Sequence, residues 1–329
     1  MPSYQQFLQG TKSEIRETDT AAVKRLVDSG AKEPVVIDIR EKDEWVQGHI
    51  PNATWISRGH LESKIEDAEG WSLDQRVTTL QGLGVRLVRY NLRWSEVARR
   101  RPEDARDPAD PAYDWSRPDG LLRALRAHRI AAIVSLVSTP RWANGGKAAQ
   151  FLPKNTADFK NFCRALAARY SGRYPGFPFV RFFGIWNESN LGNFLAPQFN
   201  SQGKIVSPAN YAKLAAAGYS GLKAGNSKAL VAIGETSSHG RDKKLRGQTD
   251  TVAPATFMKG VAKANKKLKF DAWAHHPYPF PVSLPPTQKV RYPNVMLSTM
   301  PQFEKDLDKA FGRKNVPVWI TEYGDETKP

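Results

Sequence analysis

Cysteine is nearly missing: Cys163 is the one thiol in 329 residues. A single thiol excludes an intrachain disulfide and a cysteine-ligated metal cluster. Long apolar runs are missing too. None approaches the roughly 18–20 residues of a membrane span, so no membrane partner is expected. The opening MPSYQQFLQG has neither a basic n-region nor an apolar h-region, and the expectation is a cytoplasmic chain without a secretory leader. Histidine is scarce, with six in all. Two are adjacent, His275-His276, and neighbours on a strand point to opposite faces. No third ligand stands at a suitable spacing, so no metal is expected. A Gly-rich phosphate loop follows none of the expected strands, which withholds support from a nucleotide-binding open sheet. No cofactor is expected. Acidic residues are the minority charge, 33 against 49 Lys+Arg, for a net +16. The excess lies entirely beyond residue 68, while the first 68 residues are slightly acidic. A basic surface can attract nucleic acid. Here the basic residues are scattered, with short clusters such as Arg99-Arg100-Arg101 and Lys266-Lys267. They read as a solvated surface, and no nucleic-acid partner is expected.

What remains is a soluble globular composition, 40% hydrophobic and 25% charged. The length suits one barrel plus a fragment, or two domains. The charge shift sets the boundary: one segment over 1–68, another over 72–329. In the first, Asp19 to Ser29 has helical periodicity and stops at Gly30. EPVVIDIRE (33–41) and TWISR (54–58) read as short strands. From Ser72 the rhythm becomes regular. SLDQRVTTLQGLG is a helix with a Ser72 cap and Gly84 as terminator, followed by the strand VRLVRYNLRW. Five more helix–strand pairs follow, ending in the strands IAAIVSLVSTP, FVRFFGIWNE, ALVAIGE, FDAWAHHPY and VPVWITEYG. Six such units predict a parallel sheet with helical crossovers. Strands apolar nearly throughout fit a sheet covered on both faces. The fold class is therefore α/β, with a doubly wound open sheet as the alternative to a barrel.

The strand ends carry the chemistry. Polar groups gather there: Asn91, Arg93, Asn187, Glu188, Glu235, His276, Tyr278, Glu322. In a (β/α)8 barrel all strand C-termini open on one face, where the active site sits. Two glutamates on opposite sides of one mouth, Glu188 and Glu322, supply what glycosidic cleavage needs. One carboxyl protonates the leaving oxygen, and the other attacks or activates water. Trp142, Phe194 and Trp273 offer flat apolar faces on which a sugar can stack.

Through WNES (186–189) and ITEYG (320–324), residues 72–329 resemble clan A glycoside hydrolases, the retaining (β/α)8 superfamily that includes cellulases and β-xylosidases. The resemblance implies a TIM-barrel fold and hydrolysis of β-linked oligo- or polysaccharides. It implies Glu188 as acid/base, after Asn187 at the end of barrel strand four, and Glu322 as nucleophile at the end of strand seven. Asn187 would bind the sugar 2-hydroxyl, and Arg89 or Arg93 would support the nucleophile. His276 and Tyr278 match the His and Tyr of the strand-six region, and STPRWA (138–143) the strand-three end that carries Trp142. Strands two to seven are legible. The first and eighth are not, so the barrel is expected to be incomplete.

VVIDIREKDEWVQGHIPNATWISRGHLE (35–62) resembles the front half of a rhodanese-like domain, through Asp38-Ile39-Arg40, Gly48-His49-Ile50-Pro51 and Arg58-Gly59-His60-Leu61-Glu62. Rhodaneses carry sulfur on a loop cysteine, and no cysteine precedes Cys163. Sulfurtransferase activity is not expected. Two other readings stand beside glycoside hydrolysis: a carbohydrate-binding remnant with impaired chemistry, and a rhodanese-like interaction module.

Overall fold

A computed structural model describes residues 19–29, 37–38, 45–46, 48–50, 53–55, 72–174, 176–280, 284–285 and 287–324. The chain divides into two compact units, Met1–Glu69 and Gly70–Lys328.

In the first unit, helix α1 (Thr20–Asp28) starts where Asp19 Oδ1 accepts the Ala22 amide at 2.7 Å. That contact satisfies one of the free donors of the first turn. Strands β1 (Ile37–Asp38) and β2 (Thr54–Trp55) pair in parallel. Trp45 stacks on His49 with ring centroids 3.5 Å apart. Ile39, Arg40, Pro51 and the whole of Arg58–Glu62 lie outside the described residues.

The second unit opens with α2 (Leu73–Gly82), capped as its sequence predicts. Ser72 Oγ accepts the Gln75 amide at 3.2 Å, and Gln75 Oε1 accepts the Ser72 amide at 2.8 Å. This reciprocal pair is a capping box. There follow β3 (Leu87–Arg93), the short α3 (Trp94–Val97), α4 (Ser116–Ala127), β4 (Ala131–Val137), the short α5 (Arg141–Asn144) and α6 (Thr156–Arg169). Then come β5 (Phe182–Ile185), α7 (Ser207–Gly225), β6 (Leu230–Ser237), α8 (Pro254–Ala264), β7 (Ala272–His276), α9 (Met300–Phe311) and β8 (Val318–Ile320). All six strands from β3 to β8 are parallel and lie in chain order. With helices between them, they form an incomplete (β/α)8 barrel. Among the described residues, β3 and β8 have no outer neighbour. No helix among them is long and apolar enough to cross a membrane.

Alternation along the strands sets two layers. Val134, Leu136, Phe183, Ile185, Val231 and Ile233 are fully buried. Helices close over this layer: Tyr211 on α7 donates its hydroxyl to Ile185 O at 2.7 Å. An aromatic stack links α3, α6 and the start of α4, from Trp94 through Phe162 to Trp115, with centroid spacings of 5.5 and 6.0 Å. The opposite face of the sheet carries Ala232, Ala272 and Ala274, with Trp319 packed against them.

Two irregularities break this regular pattern. Helices α6 and α7 approach closely along a glycine seam. A Cβ on Gly221 would overlap the Lys160 carbonyl oxygen and lie 2.8 Å from Cys163 Cβ. And β6 carries a bulge: Gly234 pairs with Ala274 and Thr236 with His275, leaving Glu235 as an extra residue. Gly234 adopts φ +96, and a Cβ there would strike the Trp273 indole, so only glycine fits. A bulge bends the strand and re-aims its side chains.

Candidate active site

Arg89, at the third position of β3, is nearly buried and reaches across the sheet. Its Nε donates to Ser135 Oγ at 3.1 Å, and its Nη2 to Asn187 Oδ1 at 2.8 Å. Nη2 also lies 3.2 Å from Glu235 Oε2, and Nη1 makes a short ion pair with Glu322 Oε1. One guanidinium therefore ties groups on, or just beyond, four other strands. Its planar fork suits several carboxylate contacts at once.

Beyond β5 the chain turns sharply. Trp186 has φ +76 and Glu188 φ +39, both in the left-handed region. Non-glycine residues held there mark places where surrounding structure over-determines the backbone. The turn is pinned by Trp186 Nε1 donating to Phe194 O at 2.7 Å, and by Asn190 Nδ2 donating to Val252 O at 2.9 Å.

His276 sits between three carboxylates. Its Nε2 lies 3.1 Å from Glu235 Oε2. Its Nδ1 lies 3.4 Å from Glu188 Oε1 and 3.6 Å from Glu322 Oε2. Burial alone would discharge the ring, but the hydrogen bonds to Glu188 and Glu235 and the charge of Glu322 outweigh it, and its pKa is raised to about 9. Its neighbour His275 turns to the helix layer, where Thr236 Oγ1 lies 2.9 Å from Nδ1 and Val295 O 3.0 Å from Nε2. Burial pushes its pKa down to about 3. Glu235 is fully buried. Burial would raise its carboxyl, yet Arg89 and His276 hold it below its ordinary value. Tyr278 donates its hydroxyl to Glu322 Oε2 at 3.3 Å, and burial together with that carboxylate raises its phenol.

His276 Nδ1 and one oxygen each from Glu188 and Glu322 lie within 4.8 Å of one another. As an imidazolium, His276 offers two N–H donors and no lone pair; as a neutral ring it offers one lone pair, and the trio then presents three ligand atoms close enough to share one cation.

Six of the residues named from the sequence thus converge: Arg89, Asn187, Glu188, His276, Tyr278 and Glu322. Four do not join them. The side chain of Arg93 is 59% exposed and pairs with Glu96 at 3.6 Å, because the strand ends there and the chain turns into α3. Trp273 is fully buried against Phe303 and Phe311 of α9, with centroids at 6.3 and 6.2 Å, and has no face for a ligand. Trp142 donates its indole N–H to Ala98 O at 2.7 Å, and the Arg101 guanidinium covers its ring at 4.5 Å. Phe194 is exposed, six residues beyond Glu188 in the chain. A seventh strand-end group, Glu235, joins the converging six, although the sequence reading gave it no role. Cys163 lies fully buried in α6, its thiol pushed up by burial.

Two family models match the chain. The rhodanese-like domain matches residues 19–91, and cellulase (glycosyl hydrolase family 5) matches residues 60–328. They overlap over 60–91, where α2 and most of β3 belong to the barrel. No curated protein matches the chain. Among solved structures it is similar to a glucosidase from Croceicoccus marinus, with TM-score 0.54, 13% identity, and coverage of 77% of this chain and 48% of that one. A monomeric beta-xylosidase from Caulobacter crescentus gives TM-score 0.53 at 20% identity, with coverage of 82% and 51%. A family 39 glycoside hydrolase from Bacteroides cellulosilyticus gives 0.53 at 17%, with coverage of 77% and 46%. These likenesses show the fold. The chain spans about half the length of each.

Proposed function

Because the chain belongs to the cellulase family, glycosyl hydrolase family 5, we propose that it cleaves a β-linked saccharide by double displacement, with Glu188 as acid/base and Glu322 as nucleophile. The observation that carries this reading is the pair of carboxylates facing each other across His276, with oxygens within 4.8 Å. An inverting site separates its carboxyls by roughly 6.5–9.5 Å to seat a water, whereas a retaining site holds them at roughly 5–5.5 Å. The short separation favours retention.

The steps follow from position. Glu322 attacks the anomeric carbon while Glu188 gives its proton to the departing oxygen. A covalent glycosyl–enzyme forms and the leaving alcohol departs. Glu188 then takes a proton from water, which attacks the same carbon and frees Glu322. The bonds from Arg89 and Tyr278 hold and aim the Glu322 carboxylate. Arg89 occupies Asn187 Oδ1, which leaves the Asn187 amide nitrogen to donate to a sugar hydroxyl.

The test is turnover of a panel of aryl β-glycosides. Glu322→Gln should abolish it. Glu188→Gln should spare substrates with very acidic leaving groups and slow the others, because only the latter need the proton. A second reading rests on the open edges of β3 and β8: a saccharide binder without competent chemistry. Binding without turnover, unchanged by Glu322→Gln, would favour it.

A further inference from the structure

Glu235 lies at the base of the site, and the hydrolytic steps make no use of it. It is fully buried, yet its carboxylate has four polar partners. Ser135 Oγ donates to its Oε1 at 3.1 Å. Oε2 receives Thr321 Oγ1 at 2.8 Å, His276 Nε2 at 3.1 Å and Arg89 Nη2 at 3.2 Å. The fold makes room for it. A Cβ on Gly184 would overlap Glu235 Oε1 and sit 2.5 Å from Ser135 Oγ. The β6 bulge turns the residue inward at φ +44, a conformation that non-glycine residues seldom adopt.

We propose that Glu235 is a positioning residue of the hydrolytic site: it fixes Arg89 and His276 in place and supplies the negative charge that balances theirs beside Glu188 and Glu322. This role rests on the hydrolase reading of the site. Charge counting supports it. With Glu188 protonated as the acid, Glu235 and Glu322 carry two negative charges, and Arg89 and His276 two positive ones. The buried cluster is neutral, as an interior of low dielectric requires. Without Glu235, one positive charge is left over. The other titratable groups around the cluster are Tyr278 beside Glu322, Tyr211 from α7 beneath the bulge, and His239, which feels the Glu188 charge. Both phenols are raised, so neither supplies a compensating negative charge near neutrality.

The experiment is the pH profile of kcat/KM for Glu235→Gln against wild type on an aryl β-glycoside. This profile reports the free enzyme's acid and base. The amide keeps shape and acceptor but drops the charge. Loss of the negative charge beside its Nε2 makes His276 shed its proton more readily, so the alkaline limb should move down by about one pH unit or more. At the wild-type optimum the rate should fall at least about tenfold. A merely space-filling role would lower the amplitude and leave both limbs in place, and that result overturns the proposal. If Glu235→Gln does not fold, the imidazole of His276 is titrated in wild type by NMR and assigned by its loss in His276→Asn. A ring still charged at pH 8 supports the proposal, and a neutral ring at pH 7 overturns it. Failure of the underlying reading looks different: turnover would survive Glu322→Gln.

Discussion

Gly221→Ala should destabilise the protein although alanine is the better helix former. The position lies inside α7, where Ala favours the helix over Gly by about 1 kcal/mol. Against that stands the seam with α6. The new methyl would overlap the Lys160 carbonyl oxygen and lie 3.0 Å from its carbon and 2.8 Å from Cys163 Cβ. A backbone carbonyl inside a helix cannot swing aside as a lysine tip can. Relief requires the two helices to part by roughly 1 Å, which opens gaps along a close-packed interface. Overpacking of this kind costs about 1–3 kcal/mol. The net expectation is a loss of about 1–2 kcal/mol, which lowers Tm by about 2–4 °C per kcal/mol for a domain of this size. Gly82→Ala at the end of α2 is the control: nothing lies within 4 Å of its added Cβ. Thermal and urea unfolding, followed by circular dichroism, compare the two. The reasoning fails if Gly221→Ala matches or exceeds wild type while Gly82→Ala is neutral or stabilising.

Two further outcomes are expected. Stability should peak near neutral pH, because the adjacent histidines pull in opposite directions. The His276 pKa rises from 6.5 to about 9, so its contribution is complete below 6.5 and fades as pH climbs to 9, by about 3 kcal/mol. The His275 pKa falls from 6.5 to about 3, so its contribution is complete above 6.5 and fades as pH drops toward 3. Urea midpoints at pH 5, 7 and 9 should form a dome, and a monotonic trend would contradict the assignment. Trp273→Ala should cost about 3–5 kcal/mol of stability as a large-to-small core change, while KM of the folded fraction stays at the wild-type value; a raised KM at constant kcat would restore a role in sugar contact.

Much of the fold was legible in the chain. Six alternating helix and strand patterns are long and strongly periodic, and capping residues such as Ser72 mark their starts. Glu188 and Glu322 could be paired because parallel strands must end on one face. Trp273 was misread for a reason also present in the sequence. The alternation that separates His275 from His276 places Trp273 on the His275 face, toward the helices. Arg93 shares the parity of Arg89, but parity lapses where a strand becomes a helix. Glu235 was legible as a strand-end group but not as part of the site, because the bulge's extra residue reverses the face that simple alternation assigns. Trp142 depends on Arg101 and Ala98, and no local pattern announces such a contact.

The pairing of Arg89 with Glu322 has a mechanical side as well. Arg89 belongs to one edge strand of the sheet, and Glu322 follows the other. The same ion pair that holds the Glu322 carboxylate joins the two outer strands of the curled sheet like a clasp. The aim of Glu322 and the curl of the sheet therefore draw on one contact, and any change that loosens the curl will first be felt as a misdirected carboxylate.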